Sequence, residues 1–233
     1  MKKIDTLHRL RTSRIVAVIR ESNPDAAHRT ALACIDGGID CLEIAMTTPC
    51  GLDVVESLAL LGGGLTIGAG TVLDAPTARS AIQMGASFVA SPVVNADVVR
   101  MCSRYGVVSM PGTFTPTEVV TALEAGADIV RIFPAASLGP QHLAHLISAF
   151  PQAVFMPGGG AGLATLRDWL VPGVIAVAVG ADLTTHMGDD YGAVTTRARQ
   201  LMAAAKETTG RVYLLDNRNR NPGSARSAVS CQP

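Results

Sequence analysis

Eight times along this chain a short apolar run gives way to a longer amphipathic stretch, and no other feature restricts the fold as much. Such alternation is the pattern of parallel strands joined by helices, because a parallel neighbour is reached only through a crossover. The strand candidates are residues 14–20, 41–46, 65–72, 88–94, 107–113, 128–134, 153–159 and 175–183. They are rich in Val, Ile and Ala, as strands covered on both faces should be. Helix starts between them carry caps or first-turn prolines: Asn23-Pro24-Asp25, Asp74-Ala75-Pro76, Asn95-Ala96-Asp97 and Thr115-Pro116-Thr117-Glu118. Gly85, Gly106, Gly126 and Gly173 close the helices that precede strands. Eight units predict an α/β fold, a closed (β/α)8 TIM-type barrel, with an extra helix at about 4–12 over its bottom.

With 233 residues and 48% hydrophobic content, one such domain over 1–210 is the economical reading. The segment 211–233 turns polar and rich in helix breakers, and a flexible tail is expected there, anchored by Val212-Tyr213-Leu214-Leu215. Nineteen basic residues balance nineteen acidic ones, which argues against nucleic acid as a partner. No run approaches the ~18 uninterrupted apolar residues of a membrane span, and the N-terminus lacks a signal-like apolar stretch. The expectation is a cytoplasmic chain with no membrane partner.

Five cysteines, at 34, 41, 50, 102 and 231, show neither CxxC pairing nor regular spacing, and read as small buried hydrophobes. The five histidines lack a metal-ligand pattern; His142 and His145 fit a solvated helix face. No metal and no cofactor is expected. Gly68-Ala69-Gly70-Thr71 is not a dinucleotide fingerprint, since no third glycine follows.

Barrel chemistry sits at the carboxyl ends of the strands, so late polar residues are the candidates: Arg20, Glu43, Thr71, Thr113 and Arg131, with Gly158-Gly159-Gly160 after the seventh strand. Glu43 stands amid an apolar strand, and alternation turns it away from Leu42 and Ile44. It reads either as a rim carboxylate paired with an arginine or as a general base beside a carbonyl. The triple glycine, with Gly180 and Ala181 after the eighth strand, reads either as tight turns or as a phosphate cradle. Arg131 occupies the centre of the sixth strand. The only lysines are Lys2, Lys3 and Lys206, so residues 4–205 contain no amine able to form an imine.

Seven segments in order, Val18-Ile19-Arg20, Leu42-Glu43-Ile44, Gly68-Ala69-Gly70-Thr71-Val72-Leu73, Ala90-Ser91-Pro92, Met110-Pro111-Gly112, Ile132-Phe133-Pro134-Ala135 and Pro157-Gly158-Gly159-Gly160, together resemble the 2-keto-3-deoxy-6-phosphogluconate / 4-hydroxy-2-oxoglutarate aldolase family. The resemblance runs from about residue 5 to 205. It implies a homotrimeric barrel, a proton-shuttling glutamate matched by Glu43, and a keto-acid contact matched by Thr71. It further implies an anion-binding arginine matched by Arg20, with Pro92, Thr113 and Phe133 as additional substrate contacts. Gly158, Gly159, Gly160, Gly180 and Ala181 match the phosphate loops. The family's Schiff-base lysine is matched by Arg131, a second family arginine by Thr47, a loop threonine by Gly158 and a serine by Ala181. The expected activity is therefore a lyase on a small 2-oxo acid or phosphorylated sugar acid, working by enolisation with Glu43 as base and Arg131 holding the enolate. The alternative is a barrel without catalysis that binds small anions or serves assembly.

Overall fold

A computed structural model describes residues 2–184 and 189–219. After helix α1 (Lys3–Ser13) come β1 (Ile15–Ile19), α2 (Pro24–Asp36), β2 (Cys41–Ala45), α3 (Gly51–Leu60), β3 (Thr66–Gly70), α4 (Ala75–Gln83), β4 (Phe88–Ala90) and α5 (Ala96–Tyr105). The chain continues with β5 (Val108–Met110), β6 (Gly112–Thr113), α6 (Pro116–Glu124), β7 (Val130–Ile132), α7 (Ala135–Ala149), β8 (Phe155–Pro157), α8 (Leu166–Trp169), β9 (Val177–Val179), α9 (Ala181–Thr184) and α10 (Tyr191–Asn219).

All strand pairs are parallel. Six strands run in the order β5-β4-β3-β2-β1-β9 and three in the order β6-β7-β8, and the sheet they make is curled. At one seam Arg131 N–H donates to the Pro111 carbonyl at 3.0 Å and Ile129 N–H to that of Ser109 at 3.2 Å. At the other, Ile175 N–H donates to the Phe155 carbonyl at 2.9 Å, and Gly158 bridges Ala178.

Strand alternation sorts the core into two layers. One face of each strand, with Ile15, Ala17, Leu42, Ile44, Ile67, Val130 and Ile132, packs against the helices. The other face, with Val16, Cys41, Phe88, Val108, Ile129, Met156 and Ala178, fills the inside of the curl, where Leu10 of α1 joins it. Glu43 shares the face of Cys41, and Arg131 that of Ile129, so the register alone turns both inward.

The helix caps behave as expected. Asn23, Asp74, Asn95 and Thr115 each accept a backbone N–H from the first turn, and Pro24, Pro76 and Pro116 occupy first-turn positions. Several boundaries differ from the expectation. The fifth strand breaks at Pro111, which has no N–H to give, into β5 and β6. The eighth ends at Val179, and Asp182 and Leu183 lie in α9 instead. The last helix extends to Asn219, into the segment expected to be a tail; residues 220–233 lie outside the described residues.

Burial of Cys34, Cys41 and Cys102 pushes each thiol up to about 12. Cys50 is the exception, exposed and left-handed at φ 53 just before α3, and Cys231 lies outside the described residues. Among the described residues no helix is long and apolar enough to cross a membrane.

Candidate active site

The inward-facing polar residues meet in a cavity of about 550 Å³ at the carboxyl ends of the strands. At its floor Nη1 of Arg131 donates to Oε2 of Glu43 at 2.5 Å. Their side chains are 7% and 2% exposed, so this ion pair lies out of water. Charge-assisted bonds of this kind are strong in a low dielectric, and removing one partner strands the other. β2 supplies Glu43 and β7 supplies Arg131, from opposite sides of the curl. The guanidinium also lies 6.0 Å from the centroid of the Phe133 ring.

Two glycines clear the space for this pair. Gly70, at the end of β3, would meet the carboxyl of Glu43 if it carried a Cβ. Gly158, just after β8, would place a Cβ 2.9 Å from both Nε and Nη2 of Arg131.

Thr71 is held at φ 57, a region that a β-branched residue rarely occupies and that costs about 1–3 kcal/mol. Nη2 of Arg20 donates to its Oγ1 at 3.3 Å across the rim. Pro92, Phe133, Gly159, Gly160, Gly180 and Ala181 also line the cavity. Gly159 and Gly160 have φ of 83 and 99, and their closeness to Phe133 and Ala136 leaves no room for side chains.

Two of the expected contacts stand elsewhere. Thr113 is buried behind the strand, and its Oγ1 donates to the Arg131 carbonyl at 3.1 Å, which steadies β7. Gly158 backs the guanidinium and does not line the cavity. Conversely, Val18, Ser91, Ala178 and Thr184 line it and are not among the expected site residues, although Val18 and Ser91 lie in segments that carry the resemblance. Ser91 follows β4 and satisfies the rule that late polar residues face the site, so it could have been found. Val18 and Ala178 are ordinary apolar strand positions, and Thr184 is brought to the cavity by a helix, Ala181–Thr184, that the sequence pattern does not signal. Among the described residues no three of His, Cys, Asp and Glu lie close enough to hold a metal ion.

Parallel strands backed by helices, with a buried carboxylate and a cation meeting in a cavity at the strand ends, define the α/β class whose enzymes work at that end of the sheet. The chain belongs to the family of KDPG and KHG aldolases, whose model matches residues 6–196. It is 34% identical over 172 residues to the 2-dehydro-3-deoxy-6-phosphogalactonate aldolase of Escherichia coli K12, covering 72% of this chain and 83% of that one. Identity to the 2-dehydro-3-deoxy-phosphogluconate aldolase of Pseudomonas aeruginosa is 37% over 177 residues, 75% of this chain and 80% of the relative. The solved KDPGal structure superposes with a TM-score of 0.78 at 30% identity, over 84% of this chain and 96% of that one.

Proposed function

We propose that this chain is a carbon–carbon lyase that handles a small 2-oxo acid by enolisation, without an imine. The observation that carries the reading is the buried Glu43–Arg131 pair inside the cavity. In the cleavage direction a 4-hydroxy-2-oxo acid loses its C4 hydroxyl proton to a base. The C3–C4 bond breaks, its electrons flow into the C2 carbonyl, and an aldehyde departs from a pyruvate enolate. Glu43, carrying the proton, then delivers it to C3.

Charge is conserved through these steps in a way that suits the pair. Arg131 begins with the Glu43 carboxylate as its counter-anion. When Glu43 is protonated, the negative charge resides on the enolate oxygen, and the guanidinium holds that oxygen instead. No net charge is created or removed in the buried site. A guanidinium keeps its proton throughout and does not attack a carbonyl. Arg20 and Thr71 would bind the substrate carboxylate, with Pro92 and Phe133 packed against its carbon chain.

The relatives' names refer to phosphorylated 3-deoxy sugar acids, and Gly159, Gly160, Gly180 and Ala181 are the residues here that would take a phosphate through backbone N–H groups. The hydrogen bonds across both seams support reading β1 to β9 as the eight strand positions of one closed barrel, with β5 and β6 as one position and α1 across its base. The same proposal includes a cytoplasmic homotrimer and a single domain over 1–210. Leu73, Val93 and Phe114, exposed at 54%, 50% and 39% on the loops after β3, β4 and β6, are apolar surface suited to subunit contact.

Treatment with pyruvate and borohydride tests the absence of an imine. The intact mass of the protein is expected to stay unchanged, whereas Arg131→Lys supplies an amine for comparison and is expected to gain one reduced pyruvyl group. A pyruvyl adduct on any lysine of the unaltered protein would overturn the proposal.

A further inference from the structure

We infer that Gly158 is a positioning residue for Arg131: the missing side chain is what lets the guanidinium lie against Glu43. This rests on the enolisation reading for its catalytic consequence but not for its geometry. β7 and β8 pair with Arg131 opposite Met156 and Ile132 opposite Pro157. Gly158 is two residues beyond Met156, so it presents to the same inner face as Arg131. Its N–H donates to the Ile132 carbonyl at 3.0 Å, which fixes the backbone at that level.

A Cβ built there would lie 2.9 Å from Nε, 2.9 Å from Nη2 and 3.2 Å from the Ala178 Cβ. Carbon and nitrogen do not pack at 2.9 Å, so one of them must move. The Ala178 contact is tight but tolerable, and the strand is held by its backbone bonds. The movable group is the guanidinium, the far end of a flexible side chain, and the distance it must keep is the 2.5 Å to Glu43. A methyl group at 158 therefore dislodges the cation and leaves the strands in place. Gly158 has an ordinary φ, unlike Gly159 and Gly160, so nothing in its backbone conformation calls for glycine. The space taken by Arg131 does.

The pairing is specific to the bulk of the guanidinium. A lysine at 131 puts its Cε where Nε lies but has no counterpart to Nη2, so only one of the two 2.9 Å contacts remains and an unforked stem is free to turn away from it. Gly158 and Arg131 thus form a matched couple, and a side chain at 158 is compatible with lysine at 131.

The test is a double-variant cycle of the unaltered protein, Gly158→Ala, Arg131→Lys and Arg131→Lys/Gly158→Ala. Tm is read for all four, solvent deuterium exchange into pyruvate for the first two, and borohydride trapping of pyruvate for the two lysine proteins. With Arg131 in place, Gly158→Ala is expected to lower Tm by about 5 °C or more, and to reduce kcat for exchange roughly tenfold with a smaller change in KM. In the lysine background the same substitution is expected to leave Tm within about 1 °C and the trapping rate within about twofold. Equal losses in both backgrounds overturn the inference, as does failure of both alanine proteins to fold. Folding only in the lysine background supports it. If the unaltered protein exchanges no deuterium, the enolisation reading fails while the Tm cycle still decides the role of Gly158.

Discussion

Asp128 and Arg131 lie three residues apart around the same short strand, yet the ion pairs they make at its two ends are built to different rules. At the lower end Asp128 takes Lys3 Nζ on both oxygens, at 3.0 and 2.9 Å, and Ser109 N–H and Oγ on one, at 2.9 and 3.0 Å. That carboxylate has its hydrogen-bonding capacity filled, is only partly buried, and ties α1 to the strands. At the upper end Glu43 takes, among the described residues, one side-chain hydrogen bond, from Arg131. The upper pair is far more deeply buried, and it faces a cavity. A pair that serves packing uses its hydrogen-bonding capacity locally. A pair that is dry, under-coordinated and beside open volume keeps capacity for a ligand.

Truncating each cation should separate the two ends most clearly. Arg131→Ala leaves a buried carboxylate without a partner and is expected to destabilise by about 3–5 kcal/mol. Lys3→Ala, at a pair with side chains 28% and 17% exposed, is expected to lose no more than about 1 kcal/mol. Urea unfolding of the two variants measures the gap, and equal losses would erase the distinction.

Backbone strain sharpens the same contrast. Thr71→Gly removes the penalty of the left-handed conformation and is expected to stabilise by about 1 kcal/mol. It also removes the hydroxyl that Arg20 contacts, so pyruvate should bind more weakly by titration calorimetry. A protein that becomes more stable and binds worse is what strain at a ligand site predicts.

Glu118 provides a carboxylate at the upper end that, like Asp128, spends its hydrogen bonds on neighbouring chain, here all on one oxygen. It accepts Phe114 N–H at 2.9 Å, Thr115 N–H at 2.8 Å and Thr115 Oγ1 at 2.9 Å, closing a capping box with α6. The Phe114 N–H, then the Thr115 N–H and hydroxyl, hold its carboxyl below the usual carboxylate value. Because the folded value is the lower one, the stabilisation is present above the unfolded value and is lost as pH falls through the folded one. Glu118→Gln, which keeps a capping-box acceptor but loses the charge at an exposed site, should therefore destabilise by only about 0.5 kcal/mol at neutral pH, with the difference from the unaltered protein disappearing in acid. Thermal melts across pH measure it, and a pH-independent difference would contradict the assignment.

How much of this was legible in the sequence differs between fold and site. The alternation of apolar runs and capped helices carries the parallel strands, and the period of two turns Glu43 and Arg131 to the inner face. Strand ends were less legible: Pro111 looks like any member of an apolar run until its missing N–H breaks the ladder, and Ala181-Asp182-Leu183 follows the last apolar run directly yet turns helical. The bond between Glu43 and Arg131 spans 88 residues of chain, and no local pattern specifies that distance. Gly158 shows the same gap. A triple glycine suggests an anion loop, but only the packing reveals that its first member adjoins a guanidinium.

The central claim is that Glu43 moves a proton on a 2-oxo acid while Arg131, and no amine, stabilises the enolate. It is tested most directly by proton NMR of pyruvate in deuterium oxide, following loss of the methyl signal with the unaltered protein and with Glu43→Gln. The account predicts exchange with the unaltered protein and a rate lower by roughly 10²–10⁴-fold in the variant. Exchange that survives Glu43→Gln undiminished, or none with the unaltered protein, would contradict it.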